Sequence, residues 1–202
     1  MIPWREIRRK IMHIYPVAIP IVYRFVTKDT ILTLLIPICA LYVFFDVFRH
    51  MHDGFKSIFD RCITNHFLRE HEKYGLIGSS YFIFGALLSI IIFPKPVAIA
   101  SLYVLIVCDA TAAIVGTGWG KTRIFKKSLE GSIAFFISGI VVVLFVLQDK
   151  PLWGEAAMQN NLSWGILAVF GAAMVELFPT GLDDNLTIPL VAGMIMMFGF
   201  WI

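Results

Sequence analysis

Residues 97–116 read VAIASLYVLIVCDATAAIVG, an apolar run whose one carboxylate is Asp109. About 20 such residues is the length an α-helix needs to cross the hydrocarbon core of a bilayer. Six further apolar stretches accompany it, at 14–26, 30–48, 76–93, 132–148, 164–178 and 188–202. They predict an all-α fold, a polytopic integral membrane bundle of about seven transmembrane helices. The stretches 14–26, 164–178 and 188–202 fall short of about 17 residues, and the first contains Pro16 and Pro20.

Composition points the same way. Of 202 residues, 58% are hydrophobic and 15% charged, against about 45–50% and about 25% in soluble domains. The mean hydropathy is +0.80, more apolar surface than one water-facing fold can hide. The net charge of +3 arises from 17 Lys and Arg in clusters between apolar runs, which gives no support to nucleic-acid binding. Cys39, Cys62 and Cys108 have neither disulfide nor metal-ligand spacing. Arg5, Arg8, Arg9 and Lys10 before an apolar run imitate a signal peptide, but no small-x-small cleavage pattern comes after them, so the segment is expected to be retained.

Charge sets the expected orientation. With seven spans, residues 1–13, 49–75, 117–131 and 179–187 share one side and carry 13 Lys or Arg, whereas the other side carries Lys28, Lys95 and Lys150, with Arg24 at a span edge. Basic residues stay in the cytoplasm, which places the N-terminus and the residue 49–75 and 117–131 loops there. Two segments read as interfacial amphipathic helices. Met51, Phe55, Ile58, Phe59 and Cys62 form one apolar stripe, and Ile7, Ile11 and Ile14 another. The largest extramembrane piece, 49–75, is under the roughly 40 residues below which domains seldom fold unaided. Residues 1–202 therefore read as a single transmembrane catalytic domain whose chemistry sits at span ends and short loops, a setting that favours a lipid or a transported solute.

Three places carry the candidate chemistry. Asp109 lies about 10 Å below the inner end of its span at 1.5 Å per residue. A carboxylate at that depth costs about 2.5–3.5 kcal/mol on insertion scales and calls for a partner, a metal or a wet cleft. Ala112, Ala113 and Gly116 leave a low wall beside it. Next comes a glycine-rich basic loop with Gly116, Gly118, Gly120, Lys121, Arg123, Lys126 and Lys127, then Ser128, Glu130 and Gly131. Its glycines let backbone N–H groups approach an anion, although it is one residue too short for a P-loop and no strand precedes it. Glu176, Asp183, Asp184 and Asn185 form an oxygen-rich set suited to Mg²⁺ shared with substrate phosphates. The plain alternatives are a helix-packing carboxylate, a positive-inside connector and a solvated acidic turn. Arg9, Lys10 and His13 add a basic stripe near the N-terminus, while His50, His52, His66 and His71 match no ligand spacing.

The ordered set is similar to a known family. Glu6-Ile7-Arg8-Arg9-Lys10 with His13, Arg69-Glu70 leading to Gly78-x-Ser80-Tyr81-Phe82, Asp109-Ala110-x-Ala112 with Gly116, Lys127-Ser128-x-Glu130-Gly131-Ser132, and Glu176 with Asp184-Asn185 and Pro189 resemble the dolichol kinase, phytol kinase and CTP-dependent diacylglycerol kinase family. The resemblance spans nearly the whole chain. It implies a membrane enzyme that moves the terminal phosphoryl group of CTP, or another nucleoside triphosphate, to the hydroxyl of a polyprenol, phytol-like alcohol or diacylglycerol, with Arg9, Lys10, Asp109 and Gly116 as its essential set.

On this reading Arg9, Lys10 and Lys127 neutralise phosphates, and Gly116, Gly118, Lys121, Ser128, Glu130 and Gly131 line the nucleotide. Mg²⁺ falls to Asp109 with Asp183, Asp184, Asn185 and Glu176. Two roles stay open to Asp109, metal ligand and general base, with His13 the second candidate base. The alternative activity is a CDP-lipid-forming cytidylyltransferase of the phosphatidate type, although Asp183-Asp184-Asn185 departs from the Asp-Arg-x-Asp style of those enzymes. A third alternative, an ion-coupled transporter, is disfavoured by the lack of an internal repeat. A homo-oligomer is compatible with everything above.

Overall fold

A computed structural model describes residues 15–52, 76–125, 127–154, 157–178 and 181–200. Arg9, Lys10, His13, Arg69, Glu70 and most of the amphipathic segment beginning at Met51 lie outside the described residues. A 3₁₀ turn over Tyr15–Val17 leads into α1 (Ala18–Phe25), succeeded by α2 (Lys28–Met51) and α3 (Gly78–Ile92). Then come α4 (Lys95–Gly118), α5 (Leu129–Leu147), the short α6 (Lys150–Trp153), α7 (Ala157–Leu177) and α8 (Asp184–Phe200).

The described chain is all-α apart from two paired two-residue strands, β1 (Arg123–Ile124) and β2 (Lys127–Ser128), in the loop between α4 and α5. Nothing in the glycine-rich sequence predicts that hairpin. Among the described residues, Lys28–Arg49, Lys95–Gly118 and Leu129–Leu147 are long and apolar enough to cross a membrane, and three shorter apolar helices cover Gly78–Ile92, Asn161–Leu177 and Asp184–Gly199. The predicted stretch 14–26 yields only the turn and the eight-residue α1, about 12 Å of helix. Its prolines sit before and within the first turn, where a missing N–H is tolerated. Extended backbone at Val26 then ends α1, and the Thr27 hydroxyl caps α2 by accepting from the Thr30 N–H.

The helix α4 is the centre of the bundle. Its second half packs on α5, while α8 packs against its first half and against α3; α7 lies between α5 and α8, and α2 rests mainly on α3. Val97, Leu102, Val104 and Cys108 of α4 are completely buried. By contrast Leu34, Leu41, Phe44 and Val47 of α2 are exposed, as suits a helix facing lipid. Small residues let the helices approach without a hydrophobic driving force from water: a Cβ on Gly139 would strike Val169, one on Gly193 the Phe93 ring, and one on Gly85 would sit 2.5 Å from the Asn185 carbonyl oxygen.

The alternation of helices gathers the ends of α2, α4 and α7 with the starts of α3, α5 and α8 at one end of the bundle. The opposite end is stitched by an Arg24–Asp149 ion pair and by Lys28 and Lys95, which donate to the carbonyls of Ile91 and Val26. Because the Gly85 contact is with backbone that cannot swing away, Gly85→Ala is expected to cost about 1–3 kcal/mol and to lower the thermal midpoint measured in detergent. Val141→Ala, on the exposed face of α5, should leave it within the scatter of the measurement.

Candidate active site

Asp109 comes directly after one turn of π-helix, Val104–Cys108, inside α4. A π turn inserts one extra residue and re-aims the side chains beyond it, a device common at functional sites. Asp109 is half-buried. Two residues on, the Thr111 and Ser138 hydroxyls are 2.7 Å apart and tie α4 to α5.

The end of α4 and the start of α5 then close around Ser128. The Ser128 hydroxyl caps α5 by accepting from the Gly131 N–H at 3.1 Å. A Cβ on Gly116 would lie 2.7 Å from that hydroxyl, and one on Gly131 would lie 2.8 Å from the Ala112 carbonyl oxygen. In the structure these two glycines thus serve helix-to-helix contact. Glu130 braces the loop by accepting from the Thr122 N–H at 3.0 and 3.2 Å, while Gly118 and Lys121 are exposed.

Lys127 joins three segments. Its ammonium donates to Glu176 Oε1 and to Asp184 Oδ2, both at 2.8 Å. Glu176, 5% exposed, receives the Ser132 hydroxyl on its other oxygen at 3.0 Å, so both of its oxygens are satisfied. Burial is the largest single influence on Lys127 and opposes its charge, but the charges and hydrogen bonds of Asp184 and Glu176 outweigh it and hold its pKa above the ordinary lysine range. The charges of Asp109 and Glu176 both act on Asp184, so two carboxylates hold the ammonium and a third lies near one of them. The excess negative charge and the oxygen donors fit a divalent cation.

Asp183 and Asn185 are engaged elsewhere. Asp183 Oδ1 accepts from the Asn185 N–H at 2.9 Å and from its side-chain amide at 2.8 Å, capping α8, and that amide also donates to the Gly78 carbonyl at 3.2 Å. Among the described residues no group of three or more His, Cys, Asp or Glu side chains is arranged to hold a metal. Of the five metal candidates, Glu176 has both oxygens bonded, Asp183 gives Oδ1 to the α8 cap, Asn185 gives its amide N–H groups to Asp183 and Gly78, and Asp184 gives Oδ2 to Lys127; Asp184, which also feels the charge of Asp109, fits a cation better than Glu176. One or two carboxylates are what Mg²⁺ commonly takes when phosphates supply the rest.

Asp46 and Arg49 form an ion pair at the same end of the bundle, with both side chains 3% exposed, and neither is among the candidates read from the sequence. The signal was present as opposite charges at i and i+3 near the end of an apolar run. One residue counts as span edge and the other as loop, which hides the pair.

The chain has relatives among known proteins. An uncharacterised protein of Rickettsia prowazekii is 32% identical over 190 residues, covering 92% of this chain and 90% of its own. CTP-dependent diacylglycerol kinase 1 of Schizosaccharomyces pombe is 32% identical over 162 residues, covering 75% of this chain and 72% of its own. The chain belongs to the CTP-dependent diacylglycerol kinase family. That family extends to plant phytol kinases: probable phytol kinase 1, chloroplastic, of Oryza sativa is 29% identical over 159 residues, 73% of this chain and 51% of its own. No family model and no solved structure matches the chain. Membership makes it a lipid kinase, a phosphotransferase with an alcohol acceptor, and a membrane protein.

The Lys127 bridge has a defined pH behaviour. A raised folded-state pKa contributes stability that is complete below the unfolded value of about 10.4 and is lost as pH rises through the folded one. The difference in thermal midpoint between the wild type and Lys127→Met is therefore expected to stay constant from pH 7 to about pH 10 and to shrink only above it.

Proposed function

We propose that the protein transfers the γ-phosphoryl group of CTP to the hydroxyl of a membrane lipid alcohol of the diacylglycerol, phytol or polyprenol type. The observation that carries this reading is the Lys127 bridge to Glu176 and Asp184 at the end of the bundle where Asp109 and the α4–α5 contact also lie. Phosphoryl transfer needs positioning and charge neutralisation more than covalent help, and the cluster has the groups for both. The names of the relatives support a CTP donor and a lipid acceptor.

Orientation is argued from charge. The loops at the site end, 49–75 and 117–131, carry nine Lys or Arg, against Lys28, Lys95 and Lys150 in the loops at the other end. Counting Arg5, Arg8, Arg9 and Lys10, the split is 13 to 3 if the short α1 segment crosses and 9 to 7 if it does not, so the positive-inside bias supports a cytoplasmic site together with seven crossings and the N-terminus inside. CTP arrives from the cytosol, and the lipid hydroxyl arrives sideways from the bilayer.

The Lys127 ammonium is placed to meet the phosphates; Arg9 and Lys10, which lie outside the described residues, are assigned the same role from the sequence motif alone. Asp109 accepts the hydroxyl proton as the alcohol oxygen bonds to the γ-phosphorus and the bond to the β-phosphate bridging oxygen breaks, releasing CDP. Asp184 would hold Mg²⁺ together with the phosphates, supplying charge neutralisation on the leaving diphosphate. Burial of Glu176 beside Ser132 keeps Lys127 pointed along one direction, so the cation is already in place when the nucleotide binds.

Purified protein given γ-labelled CTP and a panel of lipid alcohols should produce labelled lipid phosphate and CDP. Label released as pyrophosphate would instead establish the cytidylyltransferase. Asp109→Asn should lower turnover by about 10²–10⁴-fold with the thermal midpoint preserved.

A further inference from the structure

The Asp46 carboxylate lies inside α2, five residues before its end, at 3% exposure. Its Oδ2 accepts the Ile77 N–H at 3.0 Å and the Ser80 hydroxyl at 2.5 Å, and its Oδ1 faces Arg49 Nη2 at 3.4 Å. Ile77 is the N-cap residue immediately before α3, and its own side chain offers no cap. Asp46 therefore satisfies the N-cap backbone N–H from a neighbouring helix, as the third helical residue of a capping box does locally.

The start of α3 is also where α8 is held. The Gly78 carbonyl accepts from the Asn185 side chain, and Gly85, two turns on, lies against the Asn185 carbonyl. Asn185 is the second residue of α8, and the first is Asp184, the partner of Lys127. Three sets of polar contacts, linked through the neighbouring residues Ile77-Gly78 and Asp184-Asn185, thus run from Asp46 through the start of α3 and Asn185 to the Asp184–Lys127 bridge.

A buried ion pair is weak as a source of stability, since well-packed apolar residues in its place do as well or better, and an ionisable residue in an apolar helix is costly. Holding the α3 turn in one orientation explains why a carboxylate stands inside an apolar helix. We propose that Asp46, supported by Arg49, is a positioning residue for the kinase site: it sets the start of α3, through which Asn185 places Asp184 and, with it, the Lys127 ammonium that meets the nucleotide phosphates. This rests on the kinase reading above.

Ser80→Ala removes one contact of the path and leaves the ion pair in place, so it should fold. Its KM for CTP is expected to rise about three- to tenfold, with kcat and the thermal midpoint little changed. Because Ser80 and Asn185 act along one path without touching, the double variant Ser80→Ala/Asn185→Ala should be no worse than Asn185→Ala alone, as expected of coupled positions. An unchanged KM in Ser80→Ala, or effects that multiply in the double variant, would overturn the proposal.

A second measurement does not depend on turnover. The rate at which an amine-reactive reagent labels Lys127, read by mass spectrometry, should rise several-fold in Ser80→Ala and more in Asp46→Asn, at unchanged thermal midpoint for the former. Constant Lys127 labelling in both variants would reject the positioning role. Failure of the kinase reading itself would appear separately, as absence of labelled lipid phosphate from the wild type.

Discussion

The ammonium of Lys127, held between Glu176 and Asp184, is the interaction on which the site end of the molecule depends. It ties the loop after α4 to the end of α7 and the start of α8, segments separated by 49 and 57 residues. In an apolar bundle, ionisable groups are retained only where they meet a partner. Lys127 satisfies two carboxylates at once, and Ser132 completes Glu176. The cluster keeps more negative than positive charge, which is the condition for attracting a divalent cation and its bound phosphates while retaining a fixed ammonium for the phosphate oxygens.

The rest of the architecture brings these segments close enough. Gly116 and Gly131 permit the end of α4 to lie directly on the start of α5, and Ser128 fills the space a side chain on either would take. The π turn before Asp109 shifts the helical phase at the position where a carboxylate enters the apolar helix. At the other side of the site, α3 is pinned by Asp46 and in turn presents Gly78 to Asn185. Helix ends supply most of the polar contacts, because there the backbone already lacks partners and side chains can complete it.

Much of this was legible in the amino-acid order. Apolar runs placed α2, α3, α4, α5 and α8 to within four residues of their observed bounds, since a run of hydrocarbon side chains in a bilayer has few alternatives to a helix, whereas α7 begins seven residues before its run, in the polar stretch from Ala157. Asp109, Lys127, Glu176 and Asp184 stood out because charge is scarce in their surroundings. Less was legible where function and packing use the same residue. The glycines of 116–131 looked like an anion cradle, and in the folded chain Gly116 and Gly131 are contact points between helices. Asp183 and Asn185 read as metal ligands, and the fold shows a further use of each, Asp183 capping α8 and Asn185 holding α3. Composition cannot separate these roles, because a carboxylate that caps a helix and one that binds a cation are the same residue until its neighbours are known.

The sequence by itself determined the solvent of this protein, the helical nature of its segments and, through the order of its motifs, the family of phosphotransferases to which it belongs. These rest on local hydrophobicity and on residue types at fixed spacing. Tertiary structure alone decided which charged groups pair, which carboxylates serve as caps and that Asp46 reaches across to the start of α3. Such pairings are set by distances between segments far apart in the chain, and those distances exist only after the helices have packed.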